Sequence, residues 1–217
     1  MDINNFKGAV FDLDGTLVDS AYVWAEVDRQ FVKKRGLTLP EDYGKSVSAM
    51  NFEQAAVYTK KLFGLADSTV SIVNEWKNAA IDEYRKNVAP IGGAYEYLKL
   101  LKAKGVRIAL ATASDKVLYT PALKRMGMYE LFDFFSQTSD VKRGKGFPDV
   151  YEHAAAGLGL SAGECVVFED IPEGIKGAKD GGFYCVAVTC AASKFDKNEL
   201  ARYADMAIYD YNELICL

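Results

Sequence analysis

The chain has 217 residues, of which 50% are hydrophobic and 26% are charged, and its formal net charge is -4 at pH 7. This acidic balance argues against nucleic acid or an anionic membrane surface as the main partner. Four cysteines without a C-x-x-C pair and a single histidine, His153, argue against a structural zinc site. The first residues carry acids where a signal peptide needs an apolar block, and no window approaches about 18 consecutive apolar residues. We therefore expect a cytoplasmic protein without a membrane span.

Short apolar runs alternate with helical patterns along most of the chain. The runs are continuous rather than alternating, as expected for strands that are covered on both faces. The helical patterns between them end at glycines such as Gly105 and Gly127. This order predicts an α/β fold with a Rossmann-like parallel sheet and right-handed crossovers. The predicted strands cover residues 8–13, 105–111, 131–136, 165–170, 184–189 and 205–210.

Residues 17–87 do not follow this alternation of strands and helices. They contain no convincing strand, and apolar residues from Trp24 to Phe31 recur at helical spacing. We predict an inserted all-helical cap domain here, while residues 1–16 and 88–217 form the α/β catalytic core. The alternative is that the helices form a layer of the same domain.

Polar side chains follow four of the predicted strands. In parallel α/β sheets, ligand sites lie beyond the carboxyl ends of the strands, so these side chains are expected to meet. Each has a simpler explanation when taken alone: a turn, a helix N-cap, a solvated lysine, or a cap for the next helix. A single shared site accounts for all of these side chains more economically than four separate explanations do. The side chains are Asp12 and Asp14, Thr112 and Ser114, Lys145, and Glu169 with Asp170.

The chemistry of this set is coherent. Four carboxylates at one edge of a sheet would repel each other unless a divalent cation lay among them. Oxygen ligands without histidine favour Mg²⁺, which shares its coordination shell with a substrate phosphate. A hydroxyl and a lysine opposite the cation would bind the remaining phosphate oxygens. The composition of the set therefore predicts a phosphoryl-transfer site.

Four stretches of the chain resemble, in order, the motifs of the haloacid dehalogenase (HAD) superfamily. The helical insertion resembles the cap of its β-phosphoglucomutase-like and phosphoglycolate phosphatase-like branch. The resemblance covers nearly the whole chain, and its first and fourth motifs are highly specific. The stretches are D-L-D-G-T-L-V-D-S, A-L-A-T-A-S, R-G-K-G-F-P-D and V-V-F-E-D-I-P-E-G-I-K-G-A-K-D-G-G.

The resemblance implies a role for each carboxylate. Asp12 would be the nucleophile that forms an aspartyl-phosphate. Asp14 would protonate the leaving alcohol and then activate water. The backbone carbonyl of Asp14, together with Asp12, Glu169 and Asp170, would hold Mg²⁺.

The resemblance also implies contacts for the phosphoryl group and for the rest of the substrate. Thr112, the backbone of Ala113 and Lys145 would bind the phosphoryl oxygens. Thr16 would lie in the loop that joins core to cap, where cap closure would exclude water. Trp24 and Ser114, with the segment 46–51, are predicted to contact the substrate.

The sequence departs from the family pattern at two points. Gly146 follows Lys145 where the third motif usually has proline. Trp24 stands where a sugar-phosphate mutase of this branch carries a histidine, which argues against mutase activity. We therefore predict a Mg²⁺-dependent phosphatase that acts as a monomer on a small phosphorylated metabolite. The alternatives are a sugar-phosphate mutase of the β-phosphoglucomutase type and a non-catalytic phosphate-binding or signalling module.

Overall fold

The structure is a computed structural model that describes residues 6–47, 50, 52–190, 195 and 197–215. It divides into two compact units. One consists of Met1–Ala21 with Val88–Leu217, and the other is Tyr22–Asn87. Part of the predicted cap segment, residues 48, 49 and 51, lies outside the described residues.

The first unit contains a six-stranded sheet in which every neighbouring pair is parallel, so the predicted fold class is confirmed. Its strands, in chain order, are β1 Gly8–Phe11, β4 Arg107–Thr112, β5 Phe134–Gln137, β6 Cys165–Glu169, β7 Tyr184–Val188 and β8 Met206–Ile208. Two short strands, β2 Val18–Asp19 and β3 Ala89–Pro90, form a separate antiparallel ribbon. The spatial order of the sheet is β5-β4-β1-β6-β7-β8, which places β1 between β4 and β6.

The strand β1 is shorter than predicted. It ends at Phe11, because the chain turns back after Leu13, whose carbonyl oxygen accepts hydrogen bonds from the backbone N–H groups of Leu17 (2.8 Å) and Val18 (3.0 Å). Asp12 and Asp14 therefore lie in the turn beyond the strand rather than on it. Gly15 has a φ of +82° in this turn, a conformation that favours glycine.

Helices cover the sheet of the first unit. The buried core between sheet and helices includes Val10, Ala109, Val167 and Cys185, which explains why the strands read as continuous apolar runs. The helices are α5 Ala94–Ala103, α6 Lys116–Arg125, α7 Asp149–Gly157, α8 Pro172–Asp180, α9 Lys197–Leu200 and α10 Asn212–Ile215.

Among its described residues, the second unit contains helices joined by turns and loops, and no strand. Its core includes Val27, Phe31 and Trp76, and the rings of Phe31 and Trp76 lie 5.6 Å apart. Trp24 is 42% exposed, so it lies outside this buried stripe although its spacing is helical. The helices are α1 Val23–Lys34, α2 Tyr43–Val47, α3 Phe52–Phe63 and α4 Thr69–Lys86. In the described part of the whole chain, no helix combines the length and apolarity that a membrane span requires.

Candidate active site

The position of β1 in the sheet explains why residues far apart in sequence meet. Phe11 lies level with Leu110 of β4 and with Phe168 of β6. The next residue, Asp12, donates its backbone N–H to the carbonyl oxygen of Phe168 at 3.0 Å. The carboxyl ends of the three strands therefore place Asp12 level with Glu169.

Three carboxylates form a compact group at this edge. Asp12, Glu169 and Asp170 each offer an oxygen, and these atoms all lie within 4.8 Å of one another. Burial raises the pKa of Asp12 despite the opposing charge of Lys145, and the charge of Glu169 raises it further. Burial and the Glu169 charge also raise the pKa of Asp170, to about 7. This crowding of buried oxygen donors fits a divalent cation, which would relieve it.

Lys145 reaches into the carboxylate group. Its Nζ bonds Asp12 Oδ1 and lies 2.5 Å from Glu169 Oε1, and its side chain is 10% exposed. Burial alone would lower the pKa of this lysine, but attraction to Asp12 and Glu169 raises it instead. The simpler explanation of a solvated loop lysine is therefore wrong. Tyr151, which the sequence reasoning missed, donates its hydroxyl to Glu169 Oε1 at 2.8 Å.

The loop that carries Lys145 packs directly on α8. A Cβ added at Gly177 would overlap the carbonyl oxygen of Lys145 and lie 2.8 Å from that of Phe147. Arg143 lies over the Phe147 ring, 4.4 Å from its centroid, and pairs through two nitrogens with Asp149. Packing and ion-pair contacts therefore hold the loop on both sides of Gly146, the position at which the third motif usually has proline.

The structure excludes the simpler explanation of Glu169 and Asp170 as helix caps. Helix α8 begins after Ile171, which makes no side-chain cap. The Glu169 carboxylate instead accepts the backbone N–H of Asp170 at 3.1 Å. A Cβ built on Gly174 would lie 2.7 Å from Glu169 Oε1, which is too close for two atoms that are not bonded. The first turn of α8 therefore requires glycine at this position.

The N-cap explanation also fails for Thr112 and Ser114. The N-cap of α6 is Asp115, which accepts from the backbone N–H of Val117 at 3.1 Å. The Thr112 hydroxyl is fully buried at the end of β4 and accepts from the backbone N–H of Ser114 at 2.9 Å. Ala113, between them, is exposed. The phosphoryl contacts predicted for Thr112 and for the backbone of Ala113, and the substrate contact predicted for Ser114, stay predictions.

The side chain of Asp14 has different partners from those of Asp12. Ser20 Oγ donates to its Oδ1 at 2.7 Å, and Ser114 Oγ donates to its Oδ2 at 2.5 Å. The carboxylate of Asp14 is not a member of the three-carboxylate group. The metal contact predicted for Asp14 concerns its backbone carbonyl and stays a prediction.

The structure also shows the surroundings of Thr16 and Trp24, two further residues of the predicted site. Thr16 is fully buried, and its hydroxyl donates to Asp170 Oδ1 at 3.2 Å. Trp24 lies in the helical unit, where its ring is 5.3 Å from that of Phe52. The predicted role of Trp24 in substrate contact stays a prediction. His153, in α7, has a structural contact: Ser136 Oγ lies 2.8 Å from His153 Nδ1.

Comparison with known proteins identifies the family. Residues 6–182 match the family described as "Hydrolase: haloacid dehalogenase-like hydrolase". The match spans most of the chain and includes all four strand ends described above. The chain belongs to the haloacid dehalogenase-like hydrolase family.

Relatives within this family narrow the enzyme class. The chain is 28% identical to a validoxylamine A 7'-phosphate phosphatase from Streptomyces hygroscopicus subsp. limoneus, over 96% of each chain. It is 31% identical to hexitol phosphatase A from Escherichia coli, over 89% of this chain and 88% of the relative. These relatives confirm the predicted class, a phosphoric monoester hydrolase.

A solved structure shares the fold. A crystal structure of a candidate β-phosphoglucomutase from Thermotoga maritima superimposes with a TM-score of 0.83 and covers 93% of this chain and 94% of that one. The two chains are 22% identical. This likeness therefore concerns the fold alone.

Proposed function

We propose that the chain is a Mg²⁺-dependent phosphatase that hydrolyses a small phosphorylated metabolite through an aspartyl-phosphate on Asp12. One observation carries this proposal. The Asp12 carboxylate pairs with the ammonium group of Lys145 and lies within 4.8 Å of carboxylate oxygens of Glu169 and Asp170, while the carboxylate of Asp14 has separate partners. Two neighbouring acids with different surroundings are suited to different chemical roles.

In the first step, an Asp12 oxygen attacks phosphorus and the bond from phosphorus to the ester oxygen breaks. Asp14, in its protonated form, gives its proton to the departing alkoxide, so that an alcohol leaves. Lys145 stabilises the negative charge of the phosphoryl group, a contribution supported by its pairing with Asp12. The products are the alcohol and an aspartyl-phosphate.

In the second step, water attacks the phosphorus of the aspartyl-phosphate. Asp14, now ionised, takes a proton from this water as the bond from phosphorus to Asp12 breaks. Inorganic phosphate leaves, and both aspartates return to their starting states. The same acid thus acts first as a proton donor and then as a proton acceptor.

Mg²⁺ would be held by Asp12, Asp170 and Glu169 together with the backbone carbonyl of Asp14. When bound, it would neutralise charge on the phosphoryl group. The proposal is supported by the all-oxygen donor set, the 4.8 Å spread of the three carboxylates and the raised pKa values of Asp12 and Asp170. The all-oxygen donor set favours Mg²⁺ over softer metals, which prefer nitrogen or sulfur ligands.

We propose a phosphorylated polyol or carbohydrate-like compound as the substrate class. The two relatives described above are named as a phosphatase of validoxylamine A 7'-phosphate and as a hexitol phosphatase, respectively. Residues outside the phosphate-binding site would select the alcohol part. The helical unit is proposed to supply some of them, with the exposed ring of Trp24 as one candidate.

The proposal is tested by measuring phosphate release from a panel of polyol and sugar phosphates, with Mg²⁺ or with EDTA. We expect Mg²⁺-dependent release that is lost in Asp12→Asn and kept in Asp82→Asn, which neutralises an exposed carboxylate paired with Lys86 in α4. Borohydride trapping during turnover should convert Asp12 to homoserine, detectable by peptide mass. Phosphate release that persists in Asp12→Asn would refute the proposal. Isomerised sugar phosphate without free phosphate would identify a mutase instead.

A further inference from the structure

Ser114 and Gln137, which lie outside the three-carboxylate group, form a connected path to Asp14. Ser114 Oγ donates to Asp14 Oδ2 at 2.5 Å, across 100 residues of sequence. The amide Nε2 of Gln137 donates to the carbonyl oxygen of Ser114 at 3.1 Å. The path runs from Gln137 at the end of β5, through Ser114, the second residue after β4, to Asp14 in the turn after β1.

The orientation of the Gln137 amide is fixed by two different partners. Its side chain accepts from the backbone N–H of Asp140, in the 3-10 turn Thr138–Asp140 that follows β5. Because the amide oxygen is used there, the amide nitrogen faces Ser114, as observed. Only a side chain with one acceptor and one donor on the same planar group satisfies both contacts.

A serine hydroxyl suits a partner that changes its protonation state. A hydroxyl donates to a carboxylate, and it accepts from a carboxylic acid, by rotating about one bond. The contact between Ser114 and Asp14 therefore survives when Asp14 changes from acid to base. An ammonium or guanidinium group in the same place could only donate and would hold Asp14 in its ionised form.

We propose that Ser114 and Gln137 are positioning residues for Asp14, and that they act in the proton transfers to the leaving alcohol and from water. This inference rests on the proposed phosphatase function. Gln137 fixes the backbone at Ser114, and Ser114 fixes the carboxylate of Asp14 toward the ester oxygen. Ser114 is thereby given a role in acid–base chemistry, in place of the substrate contact predicted from the sequence.

The role of the pair depends on the leaving group. A 4-nitrophenolate ion leaves without a proton, whereas an alkoxide needs one. The value of kcat/KM reports the steps up to departure of the alcohol, so it separates the two cases. A displaced Asp14 carboxylate should therefore lower kcat/KM for alkyl phosphates and change it little for 4-nitrophenyl phosphate.

The experiment measures kcat/KM for a series of phosphate monoesters, from 4-nitrophenyl phosphate to an alkyl phosphate, in the presence of Mg²⁺. We expect Ser114→Ala and Gln137→Glu to lower kcat/KM about 10- to 100-fold for the alkyl ester and less than about threefold for the nitrophenyl ester. Gln137→Glu keeps the size and the acceptor oxygen but loses the donor. Ser114→Thr, which keeps the hydroxyl, should restore the alkyl ester activity.

The matched control is Ser161→Ala, which removes a serine hydroxyl bonded to a carboxylate, that of Glu164, at 2.8 Å on the surface before β6. This variant should behave as the wild type with every ester. A fall of equal size for all esters, or no fall in either Ser114→Ala or Gln137→Glu, would overturn the positioning role. If Ser114→Ala does not fold, Gln137→Glu carries the test alone. If the wild type releases no phosphate, or Asp12→Asn remains active, the proposed function itself fails and this inference fails with it.

Discussion

Gly177 of α8 lies directly against the backbone of Lys145, with no room for a side chain between them. The absence of a Cβ at Gly177 lets the loop approach the helix, and this approach aims the lysine at Asp12 and Glu169. A residue that touches none of the reacting groups therefore sets the position of the cation that pairs with the proposed nucleophile.

We expect Gly177→Ala to push the loop away and to lower kcat/KM about 100-fold, because a displacement of about 1 Å at a catalytic group has such an effect. The measurement is steady-state phosphate release by the purified variant. Gly163→Ala is the control, because nothing lies within 4 Å of a Cβ built there. Wild-type activity in Gly177→Ala would show that the loop adapts and that this packing is dispensable.

Lys145→Met should destabilise the fold. Asp12 and Glu169 are 4% and 0% exposed, and this change removes the cation that both buried carboxylates contact. We expect a loss of about 3–5 kcal/mol in the free energy of unfolding, measured by denaturant titration in EDTA. Added Mg²⁺ should restore part of the loss, because it would neutralise the same carboxylates.

The contrasting variant is Asp12→Asn, which lowers the charge crowding and leaves Lys145 paired with Glu169 at 2.5 Å. It should fold with nearly wild-type stability while losing activity. A large loss of stability in this variant, or none in Lys145→Met, would contradict the electrostatic account of the site.

Thr16→Val should weaken metal binding without removing any metal ligand. The Thr16 hydroxyl donates to Asp170 Oδ1 at 3.2 Å, and side chains that orient metal ligands typically contribute about 10- to 100-fold to metal affinity. We therefore expect the Mg²⁺ concentration for half-maximal activity to rise by about that factor, with kcat retained at saturating Mg²⁺. Thr59→Val, which removes a buried hydroxyl in the helical unit, should leave the Mg²⁺ requirement unchanged.

Asp28 predicts a pH dependence of stability in the helical unit. Burial raises its pKa from an ordinary 3.8 to about 6, so folding disfavours the ionised form. The contribution of the protonated form to stability is fully present below about pH 4 and is lost as the pH rises through about 6. We expect Asp28→Asn to raise the unfolding temperature at pH 7 to 8 and to change it little at pH 4. Equal shifts at both pH values, or a lower unfolding temperature at neutral pH, would refute this account.

The strand ends were predictable because the apolar runs of β1, β4 and β6 end at polar residues. A parallel sheet brings such ends to one edge, so the proximity of Asp12 to Glu169 followed from topology. The bounds of the strands were less accurate, because the turn after Leu13 depends on backbone hydrogen bonds that leave no pattern in the composition.

The partners of each side chain were not predictable in the same way. Tyr151 reaches Glu169 from α7, and Ser114 reaches Asp14 across 100 residues, so neither contact follows a local spacing. The spacing of Gly174 and Gly177, on one face of α8, was a signal that could have revealed two close approaches. The exposure of Trp24 could not be predicted from the sequence. Helical spacing shows which residues share a face of the helix, but it does not show which neighbours cover that face.

The central position of β1 has a consequence for folding during synthesis. Of the six strands of the sheet, β1 is synthesised first, yet it pairs with β4 on one side and β6 on the other. Both neighbours of β1 are present only after residues up to Glu169 have been synthesised. Until then, this four-residue apolar strand cannot complete its backbone hydrogen bonds. A chain that stops before β6 leaves one edge of β1 unpaired, so the first of the six strands to be made becomes fully protected from aggregation only at a late stage.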